Sequence, residues 1–309
     1  MSTRNSQSVR NIVVFGATGQ QGTAFIEALS ARNTSISVQY PIYALSRNVN
    51  SSSSIRVSKL PGVKVIQVNK DYMDKPELAL QATGLNVNEV YGVYSVQGYL
   101  SEKAELTQGK SIIDASKKWN VKHFIYSSIS FGGLDDTGSA VMEVKRQVEN
   151  HLISSGLGYT ILRPTQFMDN LLPTSAFMFK ISRTILLRHT FINHPDRKHQ
   201  LISSRDIGKS GSQSIINPEK WLNQIIELAG DELTYREIEQ IYKKVLNKEV
   251  ELTYWPLASF VKFVSPLGPM ARFFDDHGFK VNIPKLKEEL PEVQYDDLRS
   301  FLTKFKASQ

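Results

Sequence analysis

Three glycines at three-residue spacing stand in the stretch Asn11-Ile-Val-Val-Phe-Gly-Ala-Thr-Gly-Gln-Gln-Gly22. Residues 12–15 before them are a short apolar run, as a buried parallel strand requires. Ala24, Phe25, Ala28 and Leu29 after them recur at helical spacing. A strand, a glycine turn and a helix together bind the pyrophosphate of a dinucleotide. Gly16 permits the tight turn, Gly19 lets the backbone approach phosphate oxygens, and Gly22 lets the helix pack closely on the strand. The N-terminus of the helix then offers N–H groups and a partial positive charge to the anion. The spacing is GxxGxxG rather than GxGxxG, and the competing reading is a glycine-rich turn that merely joins two core elements.

Two cations and a set of histidines complete the chemistry-bearing residues. Arg47 follows residues 41–45, the second strand, whose end meets the adenosine ribose in this architecture. An acid there would hold the 2′-hydroxyl and repel a 2′-phosphate; a planar guanidinium suits the phosphate, which favours NADP(H) over NAD(H). The alternative is a solvated surface arginine. Lys145 lies on a helix predicted over residues 140–154, beside the apolar stripe Val141, Val144, Val148 and Leu152. A lysine there must reach water, a carboxylate or a ligand, so it is either a site residue or a snorkelling side chain. His189, His194 and His199 are spaced five apart, matching neither an i,i+4 pair nor a zinc pattern, and are read as solvated loop residues. No metal site is expected.

The elements that must position these residues alternate along the chain. Residues 63–68, 90–96, 123–126 and 159–162 read as further strands, and 77–82, 102–119 and 140–154 as helices between them. Asn69 and Asp71 fall at a strand end where adenine contacts arise, and Gln97 and Gly98 lead along the cofactor from the fourth strand. Residues 48–54 read as a loose loop and 250–254 as a strand. Ser204 or Asp206 should cap one helix, and Thr234 with Glu237 forms a capping box for another. The expected class is α/β, a Rossmann-type doubly wound parallel sheet with a smaller mixed α/β C-terminal lobe. The expected division is a flexible leader over 1–10, a dinucleotide-binding domain over 11–165 rejoined by a late strand near 223–229, and a lobe over 166–309 covering the cleft.

Composition narrows the partners. The 309 residues are 41% hydrophobic and 22% charged, ordinary for a globular protein with a sizeable core. The net charge of +7 is spread along the chain, which suits an anionic cofactor better than nucleic acid. Cysteine is absent, so disulfides and thiol catalysis are excluded and a cytoplasmic, and also nuclear, setting is expected. No apolar run approaches a membrane span.

The chain resembles the NmrA-like family, an atypical branch of the short-chain dehydrogenase/reductase superfamily. The resemblance is carried by Gly16-Ala-Thr-Gly-Gln-Gln-Gly22, Ser46-Arg47, His123-Phe-Ile-Tyr-Ser-Ser128, Leu162-Arg-Pro-Thr-Gln-Phe-Met-Asp-Asn-Leu171, Arg205-Asp-Ile-Gly208, Ile226-Glu-Leu-Ala-Gly-Asp-Glu-Leu233 and Phe274-Asp-Asp-His-Gly-Phe279. It implies an NADP(H) cleft. Gly16, Thr18, Gly19, Gln20, Gln21 and Gly22 would cradle the pyrophosphate, Arg47 the 2′-phosphate and Asn69 the adenine. Gln97 and Gly98 would follow the ribose, Lys145 would hold the nicotinamide ribose, and Phe167 and Asn170 would close the nicotinamide end. Relatives often carry an acid at the position matching Asn69.

Short-chain dehydrogenases use Tyr-x-x-x-Lys, in which the lysine lowers the phenol's pKa from one helical turn away. Lys145 matches that lysine, but the tyrosine position is Val141, which has no proton to give. The resemblance therefore implies a redox-sensing regulator with a protein partner. The rival is an NADPH-dependent reductase of a small carbonyl, quinone or enone that relies on Lys145, as isoflavone-reductase-like enzymes rely on their lysine. Direct nucleic-acid binding is disfavoured.

Overall fold

The computed structural model describes residues 8–34, 38–98, 101–173, 177–185, 187, 196–264 and 267–308. Residues 1–7 of the expected leader, Tyr99, His189 and His194 lie outside them. In chain order the strands are β1 Ser8–Val9, β2 Asn11–Phe15, β3 Val38–Gln39, β4 Ile42–Ser46, β5 Val63–Gln67 and β6 Val90–Ser95. They continue with β7 His123–Ser127, β8 Tyr159–Pro164, β9 Gln166–Phe167, β10 His199–Ile202, β11 Gln224–Leu228 and β12 Asp231–Leu233. The helices are α1 Gln20–Ser30, α2 Ser52–Ser58, α3 Pro76–Gln81, α4 Glu102–Lys118, α5 Ala140–Ser154, α6 Phe177–Thr184 and α7 Ser204–Ile216. They end with α8 Pro218–Trp221, α9 Tyr235–Leu246, α10 Trp255–Val264, α11 Leu267–Asp276, α12 Ile283–Glu289 and α13 Leu298–Ala307.

The chain divides into two units and passes between them several times. The first holds residues 1–128, 146–162 and 207–226; the second holds 129–145, 163–206 and 227–309. The reason is that segments late in the sequence, such as 207–226, return to the layers around the first unit's sheet.

The main sheet has seven strands in the order β5-β4-β2-β6-β7-β8-β11. The pairs β2/β4, β4/β5, β2/β6, β6/β7 and β7/β8 are all parallel. Sequence order reverses between β2 and β6, and in doubly wound sheets ligands bind outside the carboxyl ends at such a switch point. Both faces of a parallel sheet are covered by helices, so its central strands are apolar on both sides. Ile12, Val13, Val14 and Phe15 of β2 and all five residues of β4 are buried. The edge strand β5 is half open, and its polar residues Lys64 and Gln67 are exposed. Phe15, Leu45, Val93, Ile112, Phe124, Tyr126, Val148 and Ile161 join one core cluster.

The second unit carries the small sheet β12-β10-β9, with β10 antiparallel to β12 and parallel to β9. A separate core of Met168, Leu171, Leu201, Ile238, Tyr242, Leu298 and Phe301 lies in this unit. Thr234 and Glu237 form the full capping box at the start of α9.

Several local expectations are corrected. Ser8–Val9, assigned to the leader, pair in parallel with Val38–Gln39. Residues 48–54 are not a loose loop throughout: the Ser51 side chain accepts the Ser54 N–H at 3.2 Å and starts α2. Residues 250–254 form no strand, because side chains of α6 take their backbone groups. Arg183 donates to the Glu251 carbonyl at 3.3 Å, and the Thr253 N–H donates to the Thr184 hydroxyl at 2.7 Å. At the start of α7 the acceptors are Ser203 Oγ, for the Asp206 N–H, and the Asp169 carboxylate, for the Ser204 N–H. His199 is not a solvated loop residue; it is buried in β10, whose ladder fixes its direction.

Candidate functional site

The glycine turn leaves β2 at the switch point, and its three glycines serve different ends. Gly16 has φ +81°, and a Cβ there would lie 2.7 Å from both Cγ1 and the carbonyl oxygen of Val96, just past β6. A Cβ on Gly22 would lie 2.2 Å from the Gly16 carbonyl oxygen, so this glycine sets the packing of α1 on the turn. Gly19 is different. Its φ of −79° suits any residue, and a Cβ would meet only the Gly16 carbonyl oxygen, at 3.4 Å. The fold has room for a side chain at Gly19, and that room opens into a groove.

The groove has a volume of about 560 Å³ and is lined by Gly16, Thr18, Gly19, Gln20, Gln21, Leu45, Arg47, Lys70, Tyr72, Met73, Asp74, Val96, Gln97, Gly98 and Gln108. Its charged residues are Arg47, Lys70 and Asp74, and Gln108 Nε2 lies 3.4 Å from both Asp74 carboxylate oxygens. Gln97 is 5% exposed. Its Nε2 donates to Ser95 Oγ at 2.7 Å, and its Oε1 has no donor. A buried acceptor without a partner is costly, so it marks a place for a hydroxyl or amide donor on an occupant. Gln21 is tied to the Ser127 hydroxyl at the end of β7.

Tyr72 closes one wall. It is buried, its ring stacks on Phe15 with centroids 6.0 Å apart, and its hydroxyl accepts the Gly16 N–H at 3.3 Å. Burial pushes its phenol upward, opposed by the Gly16 N–H and the Arg47 charge. A bare glycine, an unpaired buried acceptor and the two cations Arg47 and Lys70 fit an anionic ligand with hydroxyls, which is the chemistry of a phosphorylated dinucleotide.

Most sequence-predicted contacts meet in this groove: Gly16, Thr18, Gly19, Gln20, Gln21, Arg47, Gln97 and Gly98. Gly22 lies beneath the turn. Asn69 does not line the groove; it borders a neighbouring pocket of about 250 Å³ with Gln67, Asp71 and Tyr72. The cause is a turn in which the Tyr72 N–H donates to the Asn69 carbonyl at 3.2 Å, bringing Lys70 and Tyr72 to the groove in its place. Lys145, half-buried on α5, Phe167 on β9 and Asn170 belong to the second unit. There, Arg183 donates to the Asn170 carbonyl at 2.9 Å, and Asp169 accepts the Ser204 hydroxyl at 2.6 Å, so the 169–170 segment is fixed by part-buried polar bonds. Burial pushes the Asp169 carboxyl upward, with the Ser204 bonds opposing. Lys70, Tyr72, Asp74 and Gln108 were missed as groove residues. For the first three the signal available was the loop after the third strand, read one turn too early; Gln108 comes from α4.

The NmrA-like family profile matches residues 8–302. The chain belongs to the NmrA-like family. An NmrA-like family domain-containing oxidoreductase of Aspergillus flavus is 26% identical over 273 residues, 82% of this chain and 78% of that protein. Among solved structures, NmrA, a negative transcriptional regulator in complex with NADP, superposes with a TM-score of 0.66 at 17% identity, covering 96% of this chain and 95% of its own. The NADPH-dependent quinone oxidoreductase QOR2 of Escherichia coli superposes with a TM-score of 0.68 at 21% identity, covering 96% and 99%. These likenesses bear out the Rossmann-type sheet of this NmrA-like chain. Among its described residues, no helix is long and apolar enough to cross a membrane.

Proposed function

We propose that this NmrA-like protein binds NADP(H) and acts as a redox-sensing regulator rather than as a standard dehydrogenase. The observation that carries the reading is on α5: Val141 stands one helical turn before Lys145. An isopropyl group stands where a short-chain dehydrogenase places its proton-donating phenol, so the usual acid is missing, while the groove beside the glycine turn fits the phosphate and ribose parts of the cofactor. Gly19, Thr18 and the start of α1 would receive the pyrophosphate, Arg47 the 2′-phosphate, and Gln97 Oε1 a ribose hydroxyl. Lys145 would hold the nicotinamide ribose, with Phe167 and Asn170 at that end. A bound nicotinamide would supply hydride chemistry; the chain's part is to bind and orient it. The solved NmrA regulator, named as an NADP complex, supports the same reading.

A second reading is favoured by Lys145 itself and by relatives named as oxidoreductases. A half-buried ammonium can orient a water or polarise a substrate carbonyl without a phenol. The test is a cofactor titration run beside NADPH consumption with quinones, enones and small carbonyls. Tight binding with no turnover upholds the regulator. Robust turnover overturns it in favour of the reductase.

A further inference from the structure

We propose that the turn after β4 is a pre-formed arm for the 2′-phosphate, in which Gln67 and the Ser46–Ser54 hydroxyl pair are positioning residues and Lys70 is a second cation. The inference rests on the NADP(H) reading above.

Ser46 and Gln67 are the last registered pair of the β4/β5 ladder. Beyond them the Gln67 side chain continues the ladder. Its Nε2 donates to the Arg47 carbonyl at 2.8 Å, and its Oε1 accepts the Val49 N–H at 3.2 Å. Beneath the same turn Ser46 Oγ and Ser54 Oγ are 2.8 Å apart, and both residues are buried. Ser46 Oγ accepts the Asn48 N–H at 3.2 Å, and Ser54 Oγ donates to the Asn48 carbonyl at 2.8 Å. Three side chains thus hold the main chain of residues 47–49, and the exposed Arg47 guanidinium is left as the moving part.

A binding group on a fixed backbone loses less conformational freedom when it closes on its ligand. Lys70 comes from the next strand's loop and lines the same groove as Arg47. NAD(H) and NADP(H) share the pyrophosphate, so the glycine turn cannot tell them apart. They differ by a phosphate monoester at the ribose, where a fixed fork and a second ammonium would meet it. Gln67 is itself exposed, so its main-chain bonds contribute little to folding. Their consequence is where Arg47 points.

The experiment is calorimetric titration of NADP⁺ and NAD⁺ into the intact protein and into Gln67→Leu, Lys70→Ala and Ser54→Ala, with a thermal melt of each. The wild type is expected to prefer NADP⁺. Gln67→Leu and Lys70→Ala should each weaken NADP⁺ about 5-fold, the order of one hydrogen bond's net worth, with NAD⁺ affinity unchanged. Gln67→Leu should melt with the wild type. If Ser54→Ala fails to fold, the other two variants carry the test. A wild type that selects NADP⁺ while Gln67→Leu and Lys70→Ala keep its full selectivity would overturn this inference alone, as would equal weakening of both cofactors. A wild type that binds neither cofactor would overturn the NADP(H) reading as well.

Discussion

The backbone N–H of Gly16 donates to the phenolic oxygen of Tyr72, 56 residues later in the chain, at 3.3 Å. This bond ties the glycine turn to the loop after β5, while the Tyr72 ring rests on Phe15. Tyr72→Phe keeps the stacking and removes the bond. We expect dinucleotide affinity to fall a few-fold and the apo melt to move little, since one neutral hydrogen bond is worth about 0.5–1.5 kcal/mol. Titration and a melting curve check both halves.

Gly19 is the glycine of the turn that the fold itself does not require. Its backbone is extended, and an added Cβ finds only ordinary contact. Gly19→Val should abolish dinucleotide binding with a near-native apo melt. Gly22→Ala should do the reverse first and lower the melt, because its Cβ would fall 2.2 Å from a carbonyl oxygen. Survival of binding in Gly19→Val would reduce the turn to a structural feature.

Arg47 follows β4 and lines the groove together with Lys70. Arg47→Ala should cost NADP(H) on the order of 1.5–3 kcal/mol and leave NAD(H) nearly unaffected, since a charge-assisted contact is lost only where the phosphate exists. Equal affinity of the intact protein for the two cofactors would remove the basis for this expectation.

Lys145→Met separates sensor from reductase. A sensor loses a ribose ligand, so cofactor affinity falls modestly and no turnover is available to lose. A reductase loses general acid–base assistance, typically ~10²–10⁴-fold in turnover, with far less change in affinity. We expect the binding defect alone, read from the dissociation constant and NADPH consumption measured in parallel.

His123 predicts the acid stability of the sheet. It is buried in β7, with Nε2 2.7 Å from the Thr160 hydroxyl, whose own proton goes to the Trp221 carbonyl at 2.7 Å. Nε2 is therefore the protonated nitrogen, and Nδ1 is buried without a partner. Burial, with the Arg10 charge adding to it, lowers the imidazole to about 4. The unfolded chain, with an imidazole near 6.5, binds the extra proton first. Stability from this group is thus complete above about pH 6.5 and is lost as pH falls from there toward 4. The loss should reach about 2–3 kcal/mol by pH 4.5, and denaturant unfolding of His123→Gln should show a flatter acid limb.

Much of the fold was legible because its signals are local. An apolar run, glycines at fixed spacing and a following helical stripe need no knowledge of distant residues, and they gave β2, the turn and α1. The same holds for the Thr234–Glu237 box and for the α5 stripe that carries Lys145. Where a segment's partner was distant, the pattern misled. Residues 250–254 have strand-like composition, yet Arg183 and Thr184 take their backbone groups. The serines of 48–54 have loop-like composition, yet Ser51 caps a helix.

The site divides along the same line. The sequence by itself determined that a glycine turn follows a buried strand, that a guanidinium and no acid follows the second strand, and that Val141 stands four residues before Lys145. Each is a matter of residue type at a position along one element. Only the tertiary structure decided that Lys70 and Tyr72, and not Asn69, line the groove, that Gln97 presents an unpaired oxygen, and that His199 is buried. Those facts depend on which strands are neighbours and how the loops between them turn. Strand order is fixed by packing across the whole sheet, not by any stretch of it.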